Sequence, residues 1–264
     1  MNNPIPGPTY PEQTASDLPA LQPLAPEDWP SIDHIETENG EPVDNVFSEK
    51  QMRLLTEPLY SSWKPDRPFI AMANVGLFYG IDLPPLVPDA LLSVDVRLPE
   101  DLFPKLNRSY MIWKYGRPPD VVIEIVSNLR GDEDSRKLTG YANARIANYF
   151  IFDPEHHLSK ETLRSYRLQQ TDLVLDTSDE RLCVPSLGLE LTLWSGRYEE
   201  TDSLWLRWAS TGGKLIPTGH EQADVEAKRA DVEAKRADVE AKRADEAEQE
   251  IAKLKALLRE NGIQ

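Results

Sequence analysis

A carboxylate inside an apolar run suggests that this sequence carries out chemistry. Glu124 lies within the run VVIEIVS, which is typical of a strand buried on both faces. A buried carboxylate is costly unless a metal ion, a cation or the edge of a cleft compensates its charge. Asp120 shares its strand face but lies about 13 Å along the strand, so the two cannot chelate one small ion. The second ligand must come from another strand, and Asp89, at the mouth of the preceding predicted strand, is the natural candidate.

A lysine on the following predicted helix could neutralise Glu124. Lys137 lies one turn after Glu133 and one turn before Tyr141, so the three form a stripe on one helix face. Two carboxylates and a lysine at a strand cleft are the parts of a metal-dependent phosphodiesterase. Asp89 and Glu124 would hold Mg²⁺ or Mn²⁺, because hard oxygen ligands select these ions, and the lysine would stabilise transition-state charge. A structural Glu–Lys pair explains the same residues, and spacing alone does not favour catalysis over it.

The elements that would position these residues follow from hydrophobic patterns. We predict a short helix over 46–60, strands over 70–80, 86–96, 119–127 and 148–154, a helix over 133–147 and shorter strands over 161–200. A strand–helix–strand order implies a crossover whose helix packs on the sheet. The fold class is therefore predicted to be α/β, with a mixed sheet flanked by helices. Trp194, Trp205 and Trp208 are expected to cover the edge of the core, and base stacking by Trp205 and Trp208 is the alternative.

Composition divides the chain into three parts. Residues 1–45 form a Pro-rich acidic arm with little apolar surface to bury, which is typical of disorder. Residues 46–220 carry the folded domain. Residues 221–264 contain three copies of ADVEAKR with a period of seven, which predicts a long helix with alanines in 4-3 spacing. A solvated single helix and a self-associating coiled coil both explain that repeat.

Charge and cysteine content exclude several classes of protein. The net charge of −16 argues at first against a nonspecific nucleic-acid binder. However, −9 lies in residues 1–60, −3 in residues 221–264 and −4 in the domain between them, so the charge does not exclude a nuclease. Cys183 is the single cysteine, which excludes a disulfide scaffold and fits a reducing, cytoplasmic location. No apolar run is long enough to predict a membrane span.

Cations cluster in the sequence around the proposed site and predict a basic rim for phosphate contact. They are Arg108, Lys114, Arg117, Arg130, Arg136 and Arg145.

The order and wording of four segments resemble the Uma2 family of restriction-endonuclease-like proteins, which have the PD-(D/E)XK nuclease fold. The segments are LVPDALLSVDV (86–96), PPDVVIEIVSN (118–128), GDEDSRKLTGYA (131–142) and NYFIFDP (148–154). The resemblance covers roughly residues 45–210. It implies that Asp89 is the aspartate of the PD pair and Glu124 the acid of the E-X-K element. Val126 stands where that element usually has lysine, and Lys137 matches the family's lysine on the following helix.

The resemblance implies a Mg²⁺- or Mn²⁺-dependent DNA endonuclease. Asp89 and Glu124 would bind the metal, with the Ile125 carbonyl as a further candidate ligand, and Lys137 would be the transition-state cation. Glu133 matches a family acid whose role the sequence leaves open. The alternative is a non-catalytic nucleic-acid- or protein-binding assembly module that oligomerises through its C-terminal helix. Homodimer formation is compatible with both.

Overall fold

The computed structural model describes residues 45–80, 83–127 and 135–260. The acidic arm up to residue 44, Arg130 and Glu133 lie outside the described residues. The described helices are α1 (Val46–Ser61), α2 (Ile112–Tyr115), α3 (Arg136–Asn143) and α4 (Gly219–Glu260). The described strands are β1 (Phe69–Ala73), β2 (Leu77–Phe78), β3 (Ala90–Val94), β4 (Tyr110–Met111), β5 (Val121–Ile125), β6 (Asn148–Phe152), β7 (Leu163–Gln169), β8 (Asp172–Leu175), β9 (Cys183–Val184), β10 (Leu189–Tyr198) and β11 (Thr201–Ser210).

A six-stranded mixed sheet forms the centre of the molecule. Its strand order is β1-β3-β5-β6-β7-β8. Only β5 and β6 are parallel within this sheet, and α3 lies between them in the chain as the crossover. The other neighbouring pairs are antiparallel. The structure therefore confirms the predicted α/β class and the predicted strand–helix–strand unit.

The two faces of β5 meet different parts of the fold. Val121 and Ile123 pack into the core cluster that contains α1 and β11, whereas Val122 packs into the cluster that contains α3. Because side chains alternate along a strand, Glu124 faces the same side as Val122. The sequence pattern thus aims the only acid of this strand at the crossover helix.

Helix α1 begins and docks through polar side chains. Asn45 caps its first turn by accepting a hydrogen bond from the backbone N–H of Ser48 at 2.8 Å. Buried Gln51 donates to the Leu206 carbonyl at 2.8 Å and accepts from the Leu206 N–H at 2.9 Å. This amide acts as a backbone mimic that fixes α1 against β11. The helix predicted over 46–60 is confirmed.

Three predicted elements are shorter than expected, and backbone conformation gives the reason. The strand predicted over 70–80 breaks at Asn74, whose φ of 52° lies in the left-handed region. Asp95, with φ of 60°, ends β3. Arg145, with the same φ, turns the chain after α3 towards β6. Each break places a non-glycine residue in a conformation that a hydrophobic pattern does not signal.

A second sheet, which covers one face of the first, contains a strand that the sequence did not predict. Its order is β11-β10-β9, and β10 and β11 form a hairpin of two ten-residue strands. Trp205 and Trp208 of β11 are 0% and 2% exposed, so they lie inside the core and not at its edge. Their burial also rules out base stacking by these two rings.

Helix α4 begins on the domain and then leaves it. Thr218 and Glu221 form a capping box: the Thr218 hydroxyl accepts from the Glu221 N–H, and the Glu221 carboxylate accepts from the Thr218 N–H. Buried Arg207 donates two hydrogen bonds to the same carboxylate, at 2.9 and 2.6 Å. The described part of the helix is exposed from residue 223 onward. Within the described residues, no helix is both long and apolar enough to cross a membrane.

Candidate active site

Two carboxylates meet at one end of neighbouring strands. Ala90 of β3 pairs with Ile123 of β5 in antiparallel register, and extending this register by one residue sets Asp89 opposite Glu124. Opposed residues of antiparallel strands project from the same sheet face, which here is the face that α3 covers. Asp89 Oδ2 accepts a hydrogen bond from the Ile125 N–H at 2.6 Å. This bond holds the aspartate at the end of β5.

The crossover helix brings a cation to the buried acid. Glu124 is 0% exposed. The Nζ atom of Lys137 donates a hydrogen bond to Glu124 Oε2 at 2.8 Å, while 29% of the Lys137 side chain stays exposed. The structure therefore brings Asp89, Glu124 and Lys137 to one end of β5, with the lysine between the buried carboxylate and the surface.

Tyr141 is a further member of this site. One helical turn after Lys137, its hydroxyl donates to Glu124 Oε1. Burial raises the pKa of Tyr141 well above its ordinary value, and the nearby charge of Glu124 raises it further. The hydroxyl therefore stays protonated and acts as a fixed donor. In the sequence, Tyr141 lies in the lysine stripe without an indicated role, and its four-residue spacing from Lys137 was the available signal.

The chemistry of these donors fits a hard divalent cation. Asp89 and Glu124 supply carboxylate oxygens from adjoining strand ends, and Mg²⁺ in proteins is usually held by one or two carboxylates plus waters and phosphate oxygens. Among the residues that the structure describes, no three His, Cys, Asp or Glu side chains form a metal-binding group. Asp89 and Glu124 are thus the two residues of this site that could hold such a cation.

A separate ionic cluster occupies the opposite end of β3 and β5. Arg117 donates to Asp95 at 3.0 Å and to Asp120 at 2.7 Å. Asp120 also accepts a hydrogen bond from the Val94 N–H at 2.9 Å. Asp120 therefore has a structural role away from Glu124, and Arg117 does not belong to a rim around the proposed site.

The remaining cations of the expected basic rim are dispersed. Arg136 begins α3 next to Lys137. Arg145 donates to the Gln170 carbonyl at 2.9 Å, Arg108 to the Phe103 carbonyl at 2.7 Å, and Lys114 to the Leu106 carbonyl at 3.1 Å. Of the described cations in that set, Arg136 is the one that shares an element with the site.

A second buried acid was not identified from the sequence. Asp153 is 0% exposed, and its carboxylate accepts three backbone hydrogen bonds, from His157, Leu158 and Ser159. Its partners are the N–H groups of one turn, which is a structural arrangement. Glu124, in contrast, accepts hydrogen bonds from two ionisable side chains, Lys137 and Tyr141. This difference separates the two buried acids as functional candidates.

Comparison with known proteins identifies a family over most of the chain. The family model of Uma2, described as "Putative restriction endonuclease", matches residues 27–207. The chain is also similar to a crystal structure of "a putative nuclease belonging to DUF820" from Anabaena variabilis ATCC 29413. That likeness has 19% sequence identity and a TM-score of 0.39, and it covers 55% of this chain and 76% of the other. No curated protein matches the chain.

Proposed function

The chain belongs to the Uma2 family, and from this membership we propose that it is a divalent-metal-dependent DNA endonuclease that hydrolyses phosphodiester bonds. The family's description supports a nuclease function in general. The observation that carries the finer proposal is the buried Glu124 carboxylate, bonded at 2.8 Å by Lys137 of the crossover helix. Asp89 lies at the adjoining strand end on the same sheet face.

Asp89 and Glu124 would hold Mg²⁺ or Mn²⁺. When bound, such an ion polarises the phosphate and lowers the pKa of a coordinated water. Asp89 is oriented for this role by the Ile125 N–H, and Glu124 by the Tyr141 hydroxyl. These hydrogen bonds fix the carboxylates before substrate arrives, which is the purpose of preorganised polar groups in an active site.

Lys137 would stabilise the negative charge that accumulates on the phosphate during hydrolysis. Its long side chain is partly exposed, so its ammonium group can approach a phosphate oxygen from the surface side of the site. A cation placed where negative charge develops stabilises the transition state more than the bound substrate, and it therefore lowers the activation barrier. Lys137 would thus do the work of the lysine that usually follows the acid in β5, where this chain has Val126.

The direct test is cleavage of plasmid and short duplex DNA in Mg²⁺ or Mn²⁺. Asp89→Asn, Glu124→Gln and Lys137→Ala should each lower the rate by at least about 100-fold, the usual cost of removing a group that stabilises the transition state. Lys160→Ala, which removes an exposed lysine, is the matched control and should cleave at the wild-type rate. Cleavage that survives all three substitutions, or that needs no metal, would overturn the assignment.

A non-catalytic binding and assembly module is the second candidate. It is favoured by one observation: Lys137 and Tyr141 bond both oxygens of Glu124 inside the fold, as a purely structural ion pair would require. Isothermal titration separates the two functions. A nuclease should show a heat of Mg²⁺ or Mn²⁺ binding at millimolar concentration, and Asp89→Asn should lose that heat. A purely structural ion pair should show no metal binding in the wild-type protein or in Asp89→Asn.

A further inference from the structure

The heptad repeat of α4 has two chemically different long faces. Residues 223–243 are three identical copies of ADVEAKR, and every one of these side chains is exposed on a helix that has left the domain. At about 100° per residue, the valine of each copy points roughly opposite the midpoint between its two alanines. Val225, Val232 and Val239 are 48%, 50% and 51% exposed, so they form a regular apolar ridge.

Charge divides these two faces as well. In each copy the lysine and arginine lie within about 60° of the valine, and the aspartate and glutamate lie about 80° to either side of the alanines. We call the first surface the valine face (Val225, Val232 and Val239 with their flanking Lys and Arg). The alanine face is the opposite surface, formed by Ala223, Ala227, Ala230, Ala234, Ala237 and Ala241 with the flanking Asp and Glu.

Like faces are poorly suited to each other. Pairing two alanine faces would set acids against acids along both sides of the seam, and like charges facing each other are destabilising. Pairing two valine faces would bring lysine or arginine into every second core layer, because a seam needs two positions per heptad and the repeat has one valine. Neither symmetric pair satisfies both the apolar and the charged residues.

Unlike faces are complementary. The small alanines leave a shallow groove that lets a second backbone approach closely, and the valine ridge has the size to fill it. In this arrangement the Lys and Arg of one helix face the Asp and Glu of the other. We propose that α4 binds the α4 helix of a second copy of this chain with the valine face of one on the alanine face of the other.

This pairing has a consequence for assembly. It is heterologous, so the pair still presents one unused valine face and one unused alanine face, and association need not stop at two copies. The complementary stretch is confined to residues 223–243, because the next segment, ADEAEQE, replaces the valine with Glu246. The alanine face buries little area. The average mass should therefore rise gradually with concentration and fall with added salt, which screens the flanking charges.

Two triple variants of the full chain test the pairing. Val225, Val232 and Val239→Gln removes the valine ridge. Ala227, Ala234 and Ala241→Gln fills the alanine groove. Glutamine is a good helix former, so both proteins should keep the helix, which circular dichroism would verify. Sedimentation velocity and light scattering would give the mass of each variant alone and of an equimolar mixture.

Heterologous pairing makes a distinctive prediction for these variants. Each one alone has a single working face and should be monomeric, while the mixture should form a one-to-one heterodimer that cannot grow. A variant that dimerises by itself would show a symmetric seam through its intact face and would overturn the proposal. So would a wild-type chain that stays monomeric at the highest soluble concentration, since it would make α4 a solvated single helix.

Discussion

At the scale of residues, the site depends on how Lys137 and Tyr141 stabilise the buried negative charge of Glu124. Glu124 is enclosed, and its two oxygens accept from Lys137 and Tyr141. A carboxylate in such a place keeps its charge only if donors compensate for the lost water. The lysine supplies the opposite charge, whereas the tyrosine fixes the orientation of the carboxylate. The Tyr141 hydroxyl is itself held in place by burial and by packing of its ring against that of Tyr149, with the ring centroids 4.9 Å apart.

Tyr141→Phe removes the hydrogen bond that orients Glu124 and leaves the charges of Glu124 and Lys137 in place. We expect a stability loss of about 1–3 kcal/mol, the cost of removing one hydrogen-bond donor from a buried charged acceptor, measured by urea unfolding. Without the hydroxyl the carboxylate is easier to protonate, because the lost hydrogen bond favoured the charged form. The acid limb of the pH–cleavage profile should therefore move to higher pH.

Tyr110→Phe is the matched control for that substitution. Tyr110 is also wholly buried, burial raises its pKa to about 12, and its hydroxyl contacts Ser93 and the Arg117 carbonyl, away from Glu124. It should lose a comparable amount of stability with no shift of the acid limb. An equal shift in both variants, or none in Tyr141→Phe, would contradict a positioning role for Tyr141.

At the scale of elements, apolar patterns predicted the strands and helices but not the chain reversals. The β-branched run around Glu124 predicts β5, and the helical spacing of apolar residues predicts α1. Both patterns are readable because they reflect which side chains are buried. Strand β11 was missed because the β10–β11 turn is made by Glu199 and Glu200, with φ of 42° and 64°, and not by a glycine. Likewise, Asp89 and Lys137 were identifiable by residue type, whereas the contact of Tyr141 depends on tertiary packing.

The same turn gives a prediction about stability. A two-residue hairpin turn with both φ values positive suits Asn-Gly, and a non-glycine residue in this region is strained by about 1–2 kcal/mol. Glu200→Gly should therefore stabilise the protein by roughly 1 kcal/mol in urea unfolding. Glu199 should be kept, since it bonds Arg53 at 2.7 Å.

Glu180→Gly is the control for the turn substitution. Glu180 is an exposed glutamate of another loop and is not among the described residues with positive φ. The same exchange there should destabilise the protein, because glycine only adds freedom to the unfolded chain. Two changes of the same sign would refute relief of backbone strain as the cause.

The junction of α4 with the domain is sensitive to pH through Glu221. Partial burial would raise the pKa of Glu221, but hydrogen bonds from Arg207 and from the Thr218 N–H outweigh it, so the net pKa lies below its ordinary value of 4.5. A depressed pKa in the folded state contributes stability above the unfolded-state value. That contribution is lost as pH falls below about 4.5 and through the folded-state pKa.

Glu221→Gln should therefore cost about 1 kcal/mol at pH 7: it removes the charged partner of buried Arg207, but solvent screens the pair because the Glu221 side chain is 43% exposed. The cost should shrink as the pH of urea unfolding is lowered below about 4.5. Glu248→Gln, an exposed change in the same helix, should be neutral at both pH values. If Glu221→Gln lowers the free energy of unfolding by the same amount in acid, then packing, and not charge, stabilises the junction.

At the scale of the whole molecule, the net charge of −16 is unevenly divided. Residues 1–44 contain nine acidic and no basic residues, while residues 61–220, which include the proposed site, are close to balance. A block of like charge repels a polyanion at a range set by the Debye length, about 10 Å at 0.1 M salt. The acidic arm should therefore weaken DNA binding by the domain in a salt-dependent way.

Deleting residues 1–44 tests this effect in a Lys137→Ala background, which keeps both carboxylates while suppressing cleavage. In Mg²⁺ and about 50 mM salt, the shortened protein should bind a short duplex at least about threefold more tightly by fluorescence anisotropy, with the ratio falling towards one as salt rises. A full-length chain with the nine acids changed to Asn and Gln should behave like the deletion if charge is the cause. If only the deletion binds more tightly, the arm acts by occupying space, and if neither does, the uneven charge has no bearing on DNA binding.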